Sequence, residues 1–328
     1  MDVAPWIWQV TLGATIVFFL FNVWHMRRNP HEPSMKECLV ALGFYVGAAV
    51  IFGVGVWFLA GGQYGGEFFA GWLTEYSLSI DNLFIFIIIM GKFAVPRQYQ
   101  QTALMIGIVL ALVMRAIFIA VGAAAINQFS WVFYLFGAFL VLTAVNLARE
   151  GAEDEQGYDE PRLVRWVRQH TSVSEEWNGV KFFIQENGKR VLTPMALVVL
   201  TLGVTDLLFA LDSIPAIYGL TQEPYLVLTA NVFALMGLRQ LYFLIGGLLQ
   251  RLVYLSYGLA FLLLFIGVKL ILHAMHENEL PFINGGEHVE WAPEIPIWLS
   301  LTVILGTLVV TAVASLMSDK AKPDRAKQ

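Results

Sequence analysis

Apolar residues run along this chain in nine long blocks, near positions 6–24, 39–60, 67–91, 101–125, 129–147, 194–218, 225–248, 252–274 and 296–317. Each block is long enough to cross the hydrocarbon core of a bilayer as a helix. Tryptophans sit at block ends (Trp6, Trp24, Trp131, Trp298), where amphipathic rings favour the headgroup level. The pattern predicts an all-α integral membrane protein with about nine transmembrane helices. The first residues, MDVAPWIWQV, lack the basic stretch of a cleavable signal, so the first block is expected to be a retained helix.

Composition sharpens this picture. Of 328 residues 58% are hydrophobic and only 14% charged, with a mean hydropathy of +0.66, and a soluble domain with such a surface would aggregate. The net charge of −5 gives no reason to expect a nucleic-acid partner. A single cysteine, Cys38, excludes an intrachain disulfide and a cysteine-based metal cage; it reads as a small buried side chain. Nothing in the pattern assigns an oligomeric state.

Basic residues set the orientation. The segment before the first block and the loops after the second, fourth, sixth and eighth contain no Lys or Arg. The alternate loops and the C-terminal tail hold 17 of the 20 basic residues, from Arg27 to Lys327. By the positive-inside rule the N-terminus lies outside and the C-terminus in the cytoplasm, in a plasma membrane or a cell inner membrane. The longest cytoplasmic connection, 148–193, opens with the acidic run REGAEDEQGYDE and continues through PRLVRWVRQH, where Leu163, Trp166 and Val167 predict a short surface helix. The external stretch HAMHENELPFINGGEHVEWAPE carries five Glu with several His and reads as a plain acidic loop.

Candidate chemistry lies inside the blocks. In TEYSLSIDNLF, Glu75 and Asp81 are six residues apart; in VTDLLFALDSIPA so are Asp206 and Asp212. The second acid of each pair precedes a small polar residue, Asn82 or Ser213, and the following block of each set carries one arginine, Arg115 or Arg239. The fifth and eighth blocks also match, in YLFGAFLVLTAVN and YGLAFLLLFIGVK. Blocks three to five and six to eight therefore read as two copies of a three-helix unit, the second inserted upside down. Such inverted repeats meet near the bilayer midplane. The division that follows is two N-terminal helices (1–64), a first repeat (65–147), a cytoplasmic loop (148–193), a second repeat (194–275), and an acidic loop, last helix and tail (276–328).

At 1.5 Å per residue, Glu75 lies roughly 12 Å from the outer end of its block and Asp206 roughly 18 Å from the inner end of its own. All four acids thus fall at intramembrane depth and are expected to converge. Glu75, Ser79 and Asn82 share one helix face, whereas Asp81 is turned about 240° from Glu75. Pro215 removes a backbone bond to the carbonyl of Leu211, which predicts a kink or break in the sixth block and free carbonyl oxygens there.

Carboxylate, amide and hydroxyl oxygens are hard ligands, suited to Mn2+, Mg2+ or Ca2+. The expected metal set is Glu75, Asp81, Asn82, Asp206, Asp212 and Ser213, with Arg115 and Arg239 balancing charge. The bland alternative is that the acids merely pair with these arginines; ionisable groups inside membranes are functional by default. Lys269 is expected to snorkel to the interface, and Asn146 and Asn231 to pack between helices. An intramembrane aspartyl protease is a different class, but its Tyr-Asp and Gly-x-Gly-Asp pairs are replaced here by Ile80-Asp81 and GVTD. No enzyme activity is expected.

At these residues the chain resembles the TerC family, and within it the Alx-like manganese exporters. The motifs are EYSLSIDNLFIF, TDLLFALDSIPAIY, TANVFALMGLRQLYF and YGLAFLLLFIGVKL; with PRLVRW they place the resemblance over roughly residues 65–275. Thr205-Asp206 departs from a family Ser-Asp but keeps the hydroxyl. The resemblance implies Mn2+ export from the cytoplasm and an association with tellurium resistance, with metal-site acids at Glu75, Asp81, Asp206 and Asp212 and with Asn82 and Ser213 beside them. Tellurite itself, an anion, would meet an acidic pocket. The expected function is export of Mn2+, exchanged for protons at the same carboxylates; the alternative is a non-transporting metal sensor or scaffold in the bilayer.

Overall fold

The computed structural model describes residues 3–28, 33–129, 131–150, 161–174, 176–186, 189–245, 254–278, 280, 283–289 and 291–318. The acidic run 151–160, the segment holding Arg251 and the basic tail fall outside these residues, and so do some side chains within helices, among them that of Asp81. With no water in hydrocarbon, a crossing backbone must satisfy its own amides, and the apolar blocks do so as helices. They form α1 (Pro5–Arg28), α2 (Met35–Ala60), α3 (Gly62–Lys92), α4 (Arg97–Gln128), α5 (Val132–Glu150), α7 (Pro194–Tyr218), α8 (Pro224–Ile245), α9 (Leu255–His276) and α10 (Ile297–Met317). Among the described residues these nine are long and apolar enough to span a membrane. The molecule is an integral, multi-pass, all-α membrane protein.

The local starts follow from chemistry. Ser34 caps α2 through a reciprocal box with Glu37, the Glu37 amide donating to Ser34 Oγ at 3.2 Å and the Ser34 amide to Glu37 Oε2 at 3.0 Å. Thr193 caps α7, with Pro194 at the first helical position, where the missing amide costs nothing. Pro215 lies inside α7, yet the helix is not broken there and runs on to Tyr218. One ring removes one hydrogen bond, and the helix resumes beyond it, the Gly219 amide donating to the Pro215 carbonyl at 3.0 Å.

Helices α3, α4, α7 and α8 form the buried centre, where Leu83, Ile108, Leu202 and Val227 interlock. α3 packs along α8, α4 along α7 and α5 along α9, while α3 also meets α7 and α4 meets α8. Exchanging α3 with α7, α4 with α8 and α5 with α9 leaves these pairings unchanged. α1, α2 and α10 lie outside, and they present Val17, Phe21, Ile51, Phe58, Val309 and Val310 as exposed apolar surface for lipid.

The α5–α9 contact is a glycine crossing. A Cβ added at Gly137 would fall 2.8 Å from the carbonyl oxygen of Gly267, and one added at Gly267 would fall 3.0 Å from the carbonyl oxygen of Gly137. Each glycine also faces the residue four beyond the other, Ile271 or Val141. Only glycine lets two backbones approach so closely, which gains dispersion contacts that lipid cannot replace.

Between α5 and α7 lies the short helix α6 (Arg162–His170), followed by an antiparallel hairpin of β1 (Phe183–Glu186) and β2 (Lys189–Leu192). The surface helix was expected, but not its inward face. Val164 is fully buried, while Leu163 and Trp166 are exposed. The hairpin was not foreseen, although Asn187-Gly188 between alternating residues is a strong hairpin signal.

Candidate functional site

Three helices bring oxygen atoms to one guanidinium on a fourth. Arg115, on α4, is completely buried. Its Nε donates to Asp206 Oδ2 at 2.8 Å and its Nη2 to Asp206 Oδ1 at 3.1 Å, a two-pronged grip from α7. Nη1 donates to Glu75 Oε1 on α3, to Asn231 Oδ1 on α8 at 3.0 Å, and to Ser213 Oγ on α7 at 3.3 Å. The Asn231 amide nitrogen donates to the Val227 carbonyl at 2.9 Å, which aims its oxygen at the arginine. Ser79, one turn beyond Glu75, donates to Glu75 Oε1 at 3.4 Å. The other carboxylate oxygen, Glu75 Oε2, is buried with no hydrogen-bond partner among the described residues.

Helical rotation explains who joins this cage. Asp206 and Ser213 are seven residues apart and return to the same face of α7; Asp212 is turned away by about 240°. Asp212 accepts a hydrogen bond from Thr143 Oγ1 on α5 at 3.1 Å. It borders a separate cavity of about 230 Å³, whose polar lining is Asn82, Thr143, Asn146 and Asp212. The four acids therefore do not meet at one point: Glu75 and Asp206 share Arg115, Asp212 stands beside the neighbouring cavity, and the Asp81 side chain lies outside the described residues. Among the described residues no group of three His, Cys, Asp or Glu is arranged around an empty metal position.

The sequence similarity can now be set beside this geometry. Residues 60–323 match the profile of the integral membrane protein TerC family. The chain belongs to the TerC family. A membrane protein of Mycobacterium tuberculosis, named as uncharacterized, is 45% identical over 333 residues, covering 99% of this chain and 83% of the relative. Alx of Salmonella typhi, named for a proposed role as a membrane-bound redox modulator, is 37% identical over 295 residues, covering 88% of this chain and 86% of its own. Its counterpart in Escherichia coli K12 is 36% identical over the same length, with 88% and 86% covered. No solved structure matches the chain significantly.

Two positions in this TerC-family chain differ from expectation. Arg239 does not join Glu75 and Asp206 at the Arg115 cage. It lies eight residues along α8 from Asn231, roughly 12 Å of rise, beside a cavity of about 100 Å³ lined also by Glu37, Cys38 and Gln101. Lys269 does not simply reach for the interface: its Nζ donates to Ser300 Oγ on α10 at 3.2 Å and faces a cavity between the helices. Asn231 and Thr143 were missed as site residues. The signal for Asn231 was its place in the motif TANVFALMGLRQLYF, one helix away from two acids.

Proposed function

We propose that this TerC-family protein exports Mn2+ from the cytoplasm through the carboxylate region of α3 and α7, with Arg115 as a tethered cation that holds the site when metal is absent. The observation that carries this reading is the caged guanidinium. A positive charge sits deep in the bundle, held by two carboxylates, a hydroxyl and an amide oxygen from three surrounding helices. The donor set is entirely hard oxygen, which suits a divalent ion of the Mn2+, Mg2+ or Ca2+ class. Asp212 with Asn82, beside their own cavity, supply a second oxygen-lined stop next to the cage, with Asp81 adjacent in sequence. The symmetric exchange of helix pairings supports the inverted-repeat reading, in which such sites lie at the midplane.

Glu75 and Asp206 carry two negative charges against one on Arg115, so the cage alone keeps a charge deficit that favours cations. A divalent ion that displaced the guanidinium would balance both acids. When the ion leaves, close carboxylates in a medium of low dielectric cannot all stay ionised, and protons replace it. Mn2+ flux into inverted vesicles is therefore expected, driven by a pH gradient at zero membrane potential. Flux indifferent to the gradient, with no proton movement, would mean facilitated diffusion; metal binding with no flux would mean a sensor or scaffold.

The sidedness of this reading comes from the loops, with the N-terminus outside and the C-terminus in the cytoplasm of a plasma or inner membrane. A topology reporter fused after residue 285 is expected to read as external, and one inserted at 155–165 as cytoplasmic. Both reporters on one side would overturn the orientation. The redox role in the name of Alx has less support in this chain, because a dithiol couple needs two thiols and Cys38, itself buried, is the single cysteine.

A further inference from the structure

The proposed transport site has no assigned way out, and one cavity remains unused. It holds about 630 Å³ between the start of α3, the α7–α8 turn, the end of α9 and the start of α10. Under the sidedness proposed above, all four of these ends are external. Its lining includes Glu67, Thr221, Glu223, Lys269, His273 and Glu294, a polar rim unlike the lipid-facing surface. Glu67 is buried and fixed, accepting from Thr221 Oγ1 at 2.7 Å and from Gln63 Nε2 at 3.1 Å.

Tyr218 forms part of the same lining. Ser213, which touches Arg115, lies five residues earlier on α7, roughly 7.5 Å of rise. On α4, Ile119 is one turn beyond Arg115 and on the same face. The Tyr218 hydroxyl donates to the Ile119 carbonyl at 2.6 Å, so it ties the end of α7 to α4 one turn beyond Arg115. The ring is 2% exposed. Gly122 makes room for it, since a Cβ there would fall 3.0 Å from the ring carbon Cε2. Ile214 and Ile217, also buried, complete the plug.

The plug sits on a weakened stretch of helix. Pro215 offers no amide to the Leu211 carbonyl, so the last turn, Ala216–Tyr218, is held to the rest of α7 by one backbone bond fewer. Helix bends concentrate at such prolines.

We propose that the 630 Å³ cavity is the external release vestibule for a divalent cation and that Tyr218, on the Pro215-hinged end of α7, is the door between it and the cage. The proposal rests on the transport reading for its cargo, but the door can be tested without any flux. In cells expressing a Cys38→Ala background, a single cysteine is placed at Gln222, an exposed vestibule position, or at Ser213, behind the door. Both are challenged from outside with a membrane-impermeant methanethiosulfonate. The Gln222→Cys protein is expected to react readily whatever stands at position 218. The Ser213→Cys protein is expected to react slowly with Tyr218 in place. Tyr218→Phe keeps the ring and the packing but loses the latch, and should speed the reaction by up to about tenfold, the order expected for one buried hydrogen bond. Tyr218→Ala should speed it further. Equal Ser213→Cys rates with Tyr218 and Tyr218→Phe would overturn the door, and an unreactive Gln222→Cys would overturn the vestibule. Failure of Mn2+ transport with these labelling rates intact would strike the cargo and leave the door standing.

Discussion

Replacing Arg115 with methionine is expected to make the stability of the protein depend on divalent metal. The substitution keeps an unbranched, flexible stem, shorter by the guanidinium head, and removes the charge that Glu75 and Asp206 share. Breaking a buried pair by deleting one partner costs about 3–5 kcal/mol, because the remaining charge stays buried without compensation. In metal-free detergent solution the variant should melt well below the parent. If the cage accepts a cation, Mn2+ then takes the place of the guanidinium, and the melting temperature should recover as metal is added, while the parent responds far less. A variant equally unstable with and without Mn2+, Mg2+ or Ca2+ would assign Arg115 a purely structural role as a strut between α3, α4 and α7. Thermal melts over a metal titration decide between the two.

Asp212→Asn is expected to abolish Mn2+ transport and leave the fold intact. An asparagine oxygen can still accept the bond from Thr143, and the volume of the cavity wall hardly changes. What disappears is the negative charge beside Asn82, needed to balance a divalent ion in low dielectric. Asp81→Asn is expected to behave alike. Vesicle flux at unchanged expression and melting temperature checks both, and parental rates in the two variants would show that Asp81 and Asp212 take no part in transport.

The nine spans were legible because each is a local property. A run such as residues 297–317 needs no partner to declare itself a membrane helix. The repeated acids were equally readable, since spacing is a linear feature. The division of the acids was not. Counting rotation along α3 paired Glu75 with Ser79, and the same count along α7 pairs Asp206 with Ser213 and turns Asp212 away. That Asn231 and not Arg239 reaches the cage depends on the level at which α8 passes α4, which no single segment encodes. In α6 the spacing of Leu163, Trp166 and Val167 announced a short helix but not its inward face: a nine-residue helix fixes its face by what it lands on, and Val164 landed inward.

The glycine crossing of α5 and α9 has a consequence for biosynthesis. Gly137 and Gly267 lie about 130 residues apart, so at about 5–20 residues per second the ribosome needs roughly 6–26 s to make the second after the first. Through that interval α5 is in the membrane without its main partner, with Thr143, Asn146 and Arg149 among its residues and its glycine groove open to lipid or to other newly made chains. A groove shaped for one close-fitting helix accepts few substitutes, since a bulky side chain against Gly137 keeps the backbones apart. The glycine pair thus acts as a checkpoint of assembly: α5 stays without its partner until α9 has been translated.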